Sequence, residues 1–140
     1  MIELSHKTLR RRARELSGAA AELSDIGARS LLLFYAAECG LKAIYMAKNV
    51  LKTTSATNAA ATRSASSFNH RLDDIIVALK IPRSAIEHQP GALNLRTPPN
   101  TPVAVGELNQ VWRYGATLAT PNFAVPWLET VVAYTLKELR

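Results

Sequence analysis

The hydrophobic pattern of the chain changes character at residue 30. From Leu31 to Met46 nearly every position is apolar, and only Glu38 and Lys42 carry charge. A helix that is apolar all round must be wrapped by other elements or by lipid. Crossing a bilayer takes roughly 20 uninterrupted apolar residues. This run is shorter and charged at its middle, so it predicts the central helix of a bundle and no membrane span. Its polar exceptions are ordered: Tyr35, Glu38, Lys42 and Tyr45 recur at spacings of three, four and three, which puts them on one stripe of a buried rod.

The flanking segments carry ordinary amphipathic periods. Residues 4–23 predict a helix with Leu4, Leu9, Ala13, Leu16, Ala20 and Leu23 on one face and Lys7, Arg10, Arg11 and Arg14 on the other. Ser24 or Asp25 suits an N-cap of the central helix, and so short a link makes the first two helices an antiparallel hairpin. After Leu51 the stretch 53–67 is small and polar, which predicts a mobile loop. Asn69 is a good cap for a third helix running from His70 to Lys80, with Leu72, Ile75, Ile76 and Leu79 inward and Asp73 and Asp74 in its first turn. Residues 82–101, with Pro82, Pro90, Gly91, Pro98 and Pro99, predict a long irregular connection. Thr101-Pro102 has the form of an N-cap followed by proline at N1, opening a helix with Val105, Leu108, Val111 and Trp112 inward that ends near Gly115. A last helix from about Pro126 to Leu139 buries Leu128, Val131, Val132 and Leu136. No stretch shows strand alternation, so the expected fold is all-α, one domain over residues 1–140 with four or five helices.

Charge and cysteine content narrow the setting. The chain has 17 Lys+Arg against 11 Asp+Glu, a net charge of +6, which favours a polyanionic partner without choosing among nucleic acid, acidic protein and anionic membrane. The one cysteine, Cys39, leaves no internal disulfide and fits a reducing, cytoplasmic compartment. Arg10 to Arg14 is followed by no hydrophobic run, so no secretory leader is expected.

Candidate chemistry is sparse. His6, His70, His88 and Cys39 share no metal-ligand spacing, and there is no phosphate-gripping glycine loop or nucleophile elbow. No cofactor or metal is expected. Glu38 and Lys42 stand in the favourable i, i+4 orientation of a helical ion pair. Inside so apolar a helix they must meet partners or a water-filled cleft, because lone burial of charge is costly. The four cations of the first helix are either a phosphate-contacting surface or a solvated face.

The stretch Phe34-Tyr-Ala-Ala-Glu-Cys-Gly-Leu-Lys-Ala43 resembles the second helix of HEPN domains, a family of helical-bundle proteins found in bacterial toxin–antitoxin and phage-defence systems. His70-Arg71-Leu72 at the start of the third helix and Trp112-Arg113-Tyr114 on a later one are similar to segments of that family in the same order. The likeness runs from about residue 5 to 137 by pattern and order. It implies a HEPN-like bundle and, in catalytic members, a metal-independent endoribonuclease built on an arginine and a histidine a few residues apart. In that chemistry histidine manages protons while the ribose 2′-hydroxyl attacks, and arginine offsets charge developing on the phosphate.

Two stretches have the spacing. Arg83 and His88 are separated by four residues, and Arg63 and His70 by six. The first is preferred, because Arg63 falls in the segment expected to move. Both depart from the family in having Ser after the arginine, and Arg113, where a late-helix motif would stand, has no histidine downstream. The resemblance therefore implies Arg83 as charge stabiliser, His88 as general acid/base, and Glu38 and Lys42 as orienting groups. Lys7, Arg10, Arg11, Arg14 and Arg113 would contact nucleic acid. It further implies a homodimer with the two motifs across one groove, RNA as substrate, and an antitoxin or larger defence protein as partner. The alternative is a catalytically inactive HEPN-like module that binds a partner protein or nucleic acid through the basic first helix.

Overall fold

The computed structural model describes residues 2–86, 90–120 and 124–140. The fold is all-α: helices α1 (His6–Ala21), α2 (Ile26–Lys48), α3 (Leu72–Ala78), α4 (Leu108–Arg113) and α5 (Ala124–Glu138), with three single 3-10 turns between them. α2 is the axis of the molecule, and α1, α3, α4 and α5 all pack against it. Its length and hydropathy would suffice to cross a membrane, but more than half of its most apolar window is buried inside the fold. Phe34, Ala36, Ala37, Leu41, Ala43 and Met46 are fully enclosed.

Local chemistry sets the ends of the hairpin. Ser5 caps α1, its hydroxyl accepting the Thr8 amide at 3.2 Å, and Asp25 caps α2 by accepting the Ala28 amide at 2.8 Å. Such caps satisfy amides that have no partner within the helix. Leu9, Ala13, Leu16 and Ala20 of α1 are buried, as the period requires, whereas Leu23 falls beyond the helix and is exposed. α5 crosses the back of α2 at Gly40. A Cβ there would come within 2.6 Å of Thr135 Cβ and 3.0 Å of its Cγ2, with Thr135 Oγ1 nearer still. Only a glycine admits that approach.

Three local expectations are corrected. Asn69 does not cap α3; it holds a left-handed turn with φ of 52°, and the helix begins two residues after His70, at Leu72, with Arg71 in the cap position. His70 thereby sits on a turn rather than in a helix. Thr101-Pro102 does not open a helix either: Pro102–Val103 (β2) pairs antiparallel with Leu93–Asn94 (β1), in the register Leu93 with Val103. Two-residue strands are too short to show alternation in sequence, which is why none was expected. The helix that follows starts at Leu108, after a turn in which the Glu107 carboxylate accepts the Ala104 amide at 3.0 Å.

The segment 53–67 is held from outside itself. Thr54 Oγ1 lies 3.4 Å from both the Leu4 amide and the Ile2 carbonyl. Asn58 Nδ2 donates to the Asn49 carbonyl at 2.8 Å. The 3-10 turn Ala65–Phe68 closes it with the Phe68 ring fully buried against Tyr45, centroids 5.1 Å apart. The anchors Phe68 and Tyr45 lie beyond the loop's own composition.

Candidate functional site

One face of α2 carries the polar cluster. Glu38 divides its carboxylate between two partners: Oε1 meets His70 Nδ1 at 2.6 Å and Oε2 accepts from Lys42 Nζ at 3.3 Å. The Glu38 and Lys42 side chains are only 15% and 12% exposed, so each charge depends on the other, whereas His70 is 43% exposed. Tyr35, one turn before Glu38, has its ring centroid 6.3 Å from that of His70, and its hydroxyl accepts from the Arg113 guanidinium at the end of α4. That bond raises the Arg113 pKa further above its ordinary value and keeps the group charged. Beneath the cluster Phe34 packs edge-on against Tyr35 and contacts both His70 and Trp112.

Each member is positioned for a physical reason. The 3.6-residue period puts Tyr35, Glu38 and Lys42 on one stripe. The left-handed Asn69 throws His70 out of the α3 axis and towards that stripe. Gly106, before α4, lies against the His70–Arg71 turn, where a Cβ would come within 3.0 Å of Arg71 Cγ. This close seating brings Arg113 to Tyr35. Tyr45, the fourth residue of the expected stripe, turns the other way and donates to the Arg63 carbonyl at 2.5 Å.

The arrangement has a definite chemical capacity. A carboxylate on Nδ1 fixes the imidazole tautomer with a proton on Nδ1 and leaves Nε2 as the working nitrogen. Nε2 has no protein partner among the described residues; Lys42 shares the Glu38 carboxylate with the ring, and Arg113 is held at the hydroxyl of Tyr35, whose ring lies beside the imidazole. The set suits proton transfer beside an anionic substrate. Cys39, by contrast, is not placed as a nucleophile: burial, reinforced by neighbouring Glu38, pushes its thiol up to about 11. Among the described residues no cluster of His, Cys, Asp and Glu could hold a metal.

The other sequence candidates stand elsewhere. Arg83 is exposed in the 3-10 turn Arg83–Ala85, whose Ser84 and Ala85 line a cleft with Thr130, Tyr134 and Lys137 of α5. The end of α3 meets α2 at Lys48, whose Nζ lies 3.4 Å from the Leu79 carbonyl. Arg83 follows on at that end, and Glu38 is ten residues earlier on α2, roughly 15 Å along the axis. His88 lies outside the described residues. Arg63 stacks its guanidinium 3.8 Å above the Phe68 ring and donates to Ser67 Oγ, away from His70. On α1, Arg11 pairs with Glu15 and Arg14 donates to the Leu139 carbonyl, while Lys7 and Arg10 have no carboxylate partner among the described residues.

Sequence reasoning placed His70 in the less favoured Arg63–His70 pair and did not join it to Glu38. The available signal was the likeness of His70-Arg71-Leu72 to a functional helix start. In comparisons with known proteins, no family model matches the sequence, and no curated protein or solved structure matches the chain.

Proposed function

We propose that the chain is a HEPN-like, RNA-acting protein of an intracellular toxin or defence system, and that it cuts RNA without metal at the His70 cluster. One observation carries the reading. A partly exposed imidazole is oriented through Nδ1 by a largely buried carboxylate that also binds Lys42, with Arg113 held at the adjoining Tyr35. His70 Nε2 takes the proton of a ribose 2′-hydroxyl, and the oxygen attacks the adjacent phosphorus. The 5′ oxygen leaves and takes a proton from solvent, giving a 2′,3′-cyclic phosphate. Arg113 offsets charge on the phosphate, and Lys42 holds Glu38 in place. The net charge of +6 supports a polyanionic substrate. A homodimer remains part of this proposal, as does a partner protein that restrains the activity.

The test is cleavage of single-stranded RNA in excess EDTA, with the product ends analysed. His70→Ala should lower the rate by roughly 10²- to 10⁴-fold, the usual range for a general acid–base group, with the melting temperature unchanged. Arg83→Ala and His88→Ala test the motif that the family resemblance suggests. Loss of activity in those two with retention in His70→Ala would move the site to them. A second reading, the non-catalytic module, draws on Lys7 and Arg10 of α1, which have no carboxylate partner among the described residues. It is favoured if RNA is bound but never cut.

A further inference from the structure

Towards the start of α2 from the His70 cluster lies a cavity of about 410 Å³. Its walls include Ile26, Gly27 and Leu31 of α2, Trp112 of α4, and Thr117 and Leu118 of the chain that follows α4. We propose that this cavity is a nucleobase subsite: it takes one unpaired base of a single-stranded RNA whose reacting phosphate lies at His70. The inference rests on the function proposed above and names the substrate class of the same site.

Four observations meet here. The first is position. Leu31, Tyr35 and Glu38 follow one another along α2, so the nearest wall of the cavity, Leu31, lies about two turns, roughly 10 Å, from the carboxylate that orients His70. The second is the ring path between them. Trp112 contacts Phe34 and Phe34 contacts His70, each with centroids 6.4 Å apart. Successive residues on α4 then divide the work: Trp112 lines the cavity while Arg113 turns to Tyr35 and the cluster. A base and its own phosphate need that division between a flat apolar face and a cation.

The third is size. Small-ligand clefts run from about 300 to 1,000 Å³, and this one, near the lower limit, suits a single base rather than a paired duplex. In double-stranded RNA the bases are stacked and shielded in a deep groove, so only a splayed, unpaired base can enter. The fourth is the state of the polar wall. Asp25 is engaged with the Ala28 amide, and the Ser30 hydroxyl donates to the Ile26 carbonyl at 2.6 Å. Their use elsewhere leaves the Trp112 face to dominate. Base–aromatic stacking tolerates every base, so the subsite selects for single strands more than for sequence.

The experiment compares an intact single-stranded RNA with the same RNA carrying one abasic ribose beside the mapped cut, tested on each side of it in turn, and with its duplex. Binding is read by fluorescence anisotropy and cleavage by gel. Stacking energies of the usual size correspond to a loss of roughly 5- to 150-fold in affinity for the abasic RNA at one of the two positions. Trp112→Ala should cost the intact RNA a similar factor and the abasic RNA nothing more. Because Trp112 also packs on Phe34, Gly27→Leu is the companion variant. A Cβ at Gly27 meets nothing nearer than Asp25 Oδ2 at 3.6 Å, so a side chain can be attached there without a clash at its base. Because Gly27 lines the cavity, the added bulk should reproduce the Trp112→Ala loss, with an unchanged melting temperature as the check on folding. Equal binding of intact, abasic and duplex RNA, or full affinity in Gly27→Leu, overturns the subsite if cleavage still depends on His70. Absence of cleavage, or cleavage indifferent to His70→Ala, overturns the proposed function instead.

Discussion

The contact that seats α2 on α5 can be tested by adding one methyl group. Gly40→Ala removes a helix-interior glycine, which by propensity alone should stabilise α2 by about 1 kcal/mol. The structure predicts the opposite sign. The new Cβ would stand 2.6 Å from Thr135 Cβ and 3.0 Å from its Cγ2, and Thr135 is fully buried with its hydroxyl donating to the Val132 carbonyl at 2.8 Å. Neither helix can yield without moving the core, and overpacking of this kind costs about 1–3 kcal/mol, occasionally more. The upper part of that range applies here, because one of the atoms met is a Cβ fixed by the backbone. The net expectation is a loss of about 1–2 kcal/mol, read as a lower urea midpoint at unchanged slope. Thr135→Ala removes Oγ1 and Cγ2 but leaves the Cβ, so it should relieve Gly40→Ala only in part. Thr135→Gly should relieve it fully, at its own helix cost of about 1 kcal/mol. A double-mutant cycle with a coupling near zero, or a Gly40→Ala variant more stable than the parent, would refute the close approach of the two helices.

Two other predictions concern the surfaces on either side of α2. Burial raises the Cys39 pKa from 9.0 to about 11, so at pH 8 the native thiolate fraction should be roughly 100-fold below that of the unfolded chain. Alkylation followed by mass spectrometry should be correspondingly slow in native protein, rising about tenfold per pH unit and levelling off only near pH 11; equal rates with and without urea would refute it. If the open face of α1 meets RNA phosphates, Lys7→Ala and Arg10→Ala should each flatten the log–log salt dependence of binding by roughly 0.7, and an unchanged slope returns that face to plain solvated surface.

What the sequence made legible followed from how each element is stabilised. α2 could be found because its apolar run is long and unbroken, and α1 and α5 because several turns of one period leave little ambiguity. α3 and α4 have seven and six residues, too few turns to stand on their own period, so their limits come from neighbours. Asn69 illustrates this: its cap chemistry is real, but the buried Phe68 and Leu72 on either side dictate a left-handed turn instead. The stripe Tyr35–Glu38–Lys42 was legible because a helix fixes it locally. Its partners His70 and Arg113 stand 32 and 75 residues from Glu38 in the chain, and no local pattern joins them to it.

The two halves of the Glu38 carboxylate do not have equal standing. Lys42 is slightly more enclosed than Glu38 itself, so removing the carboxylate strands a cation in the wall of the bundle, which is a folding defect. Removing the imidazole strands nothing: it is the more exposed partner, and Glu38 keeps Lys42. If the proposed reaction is run at His70, its loss is therefore the easy step, open to a single change at position 70, while the Glu38–Lys42 frame serves the fold in either case. On the proposed function, a descendant that had given up the reaction would still present the frame, and the residue at position 70 would be the one that tells the two apart.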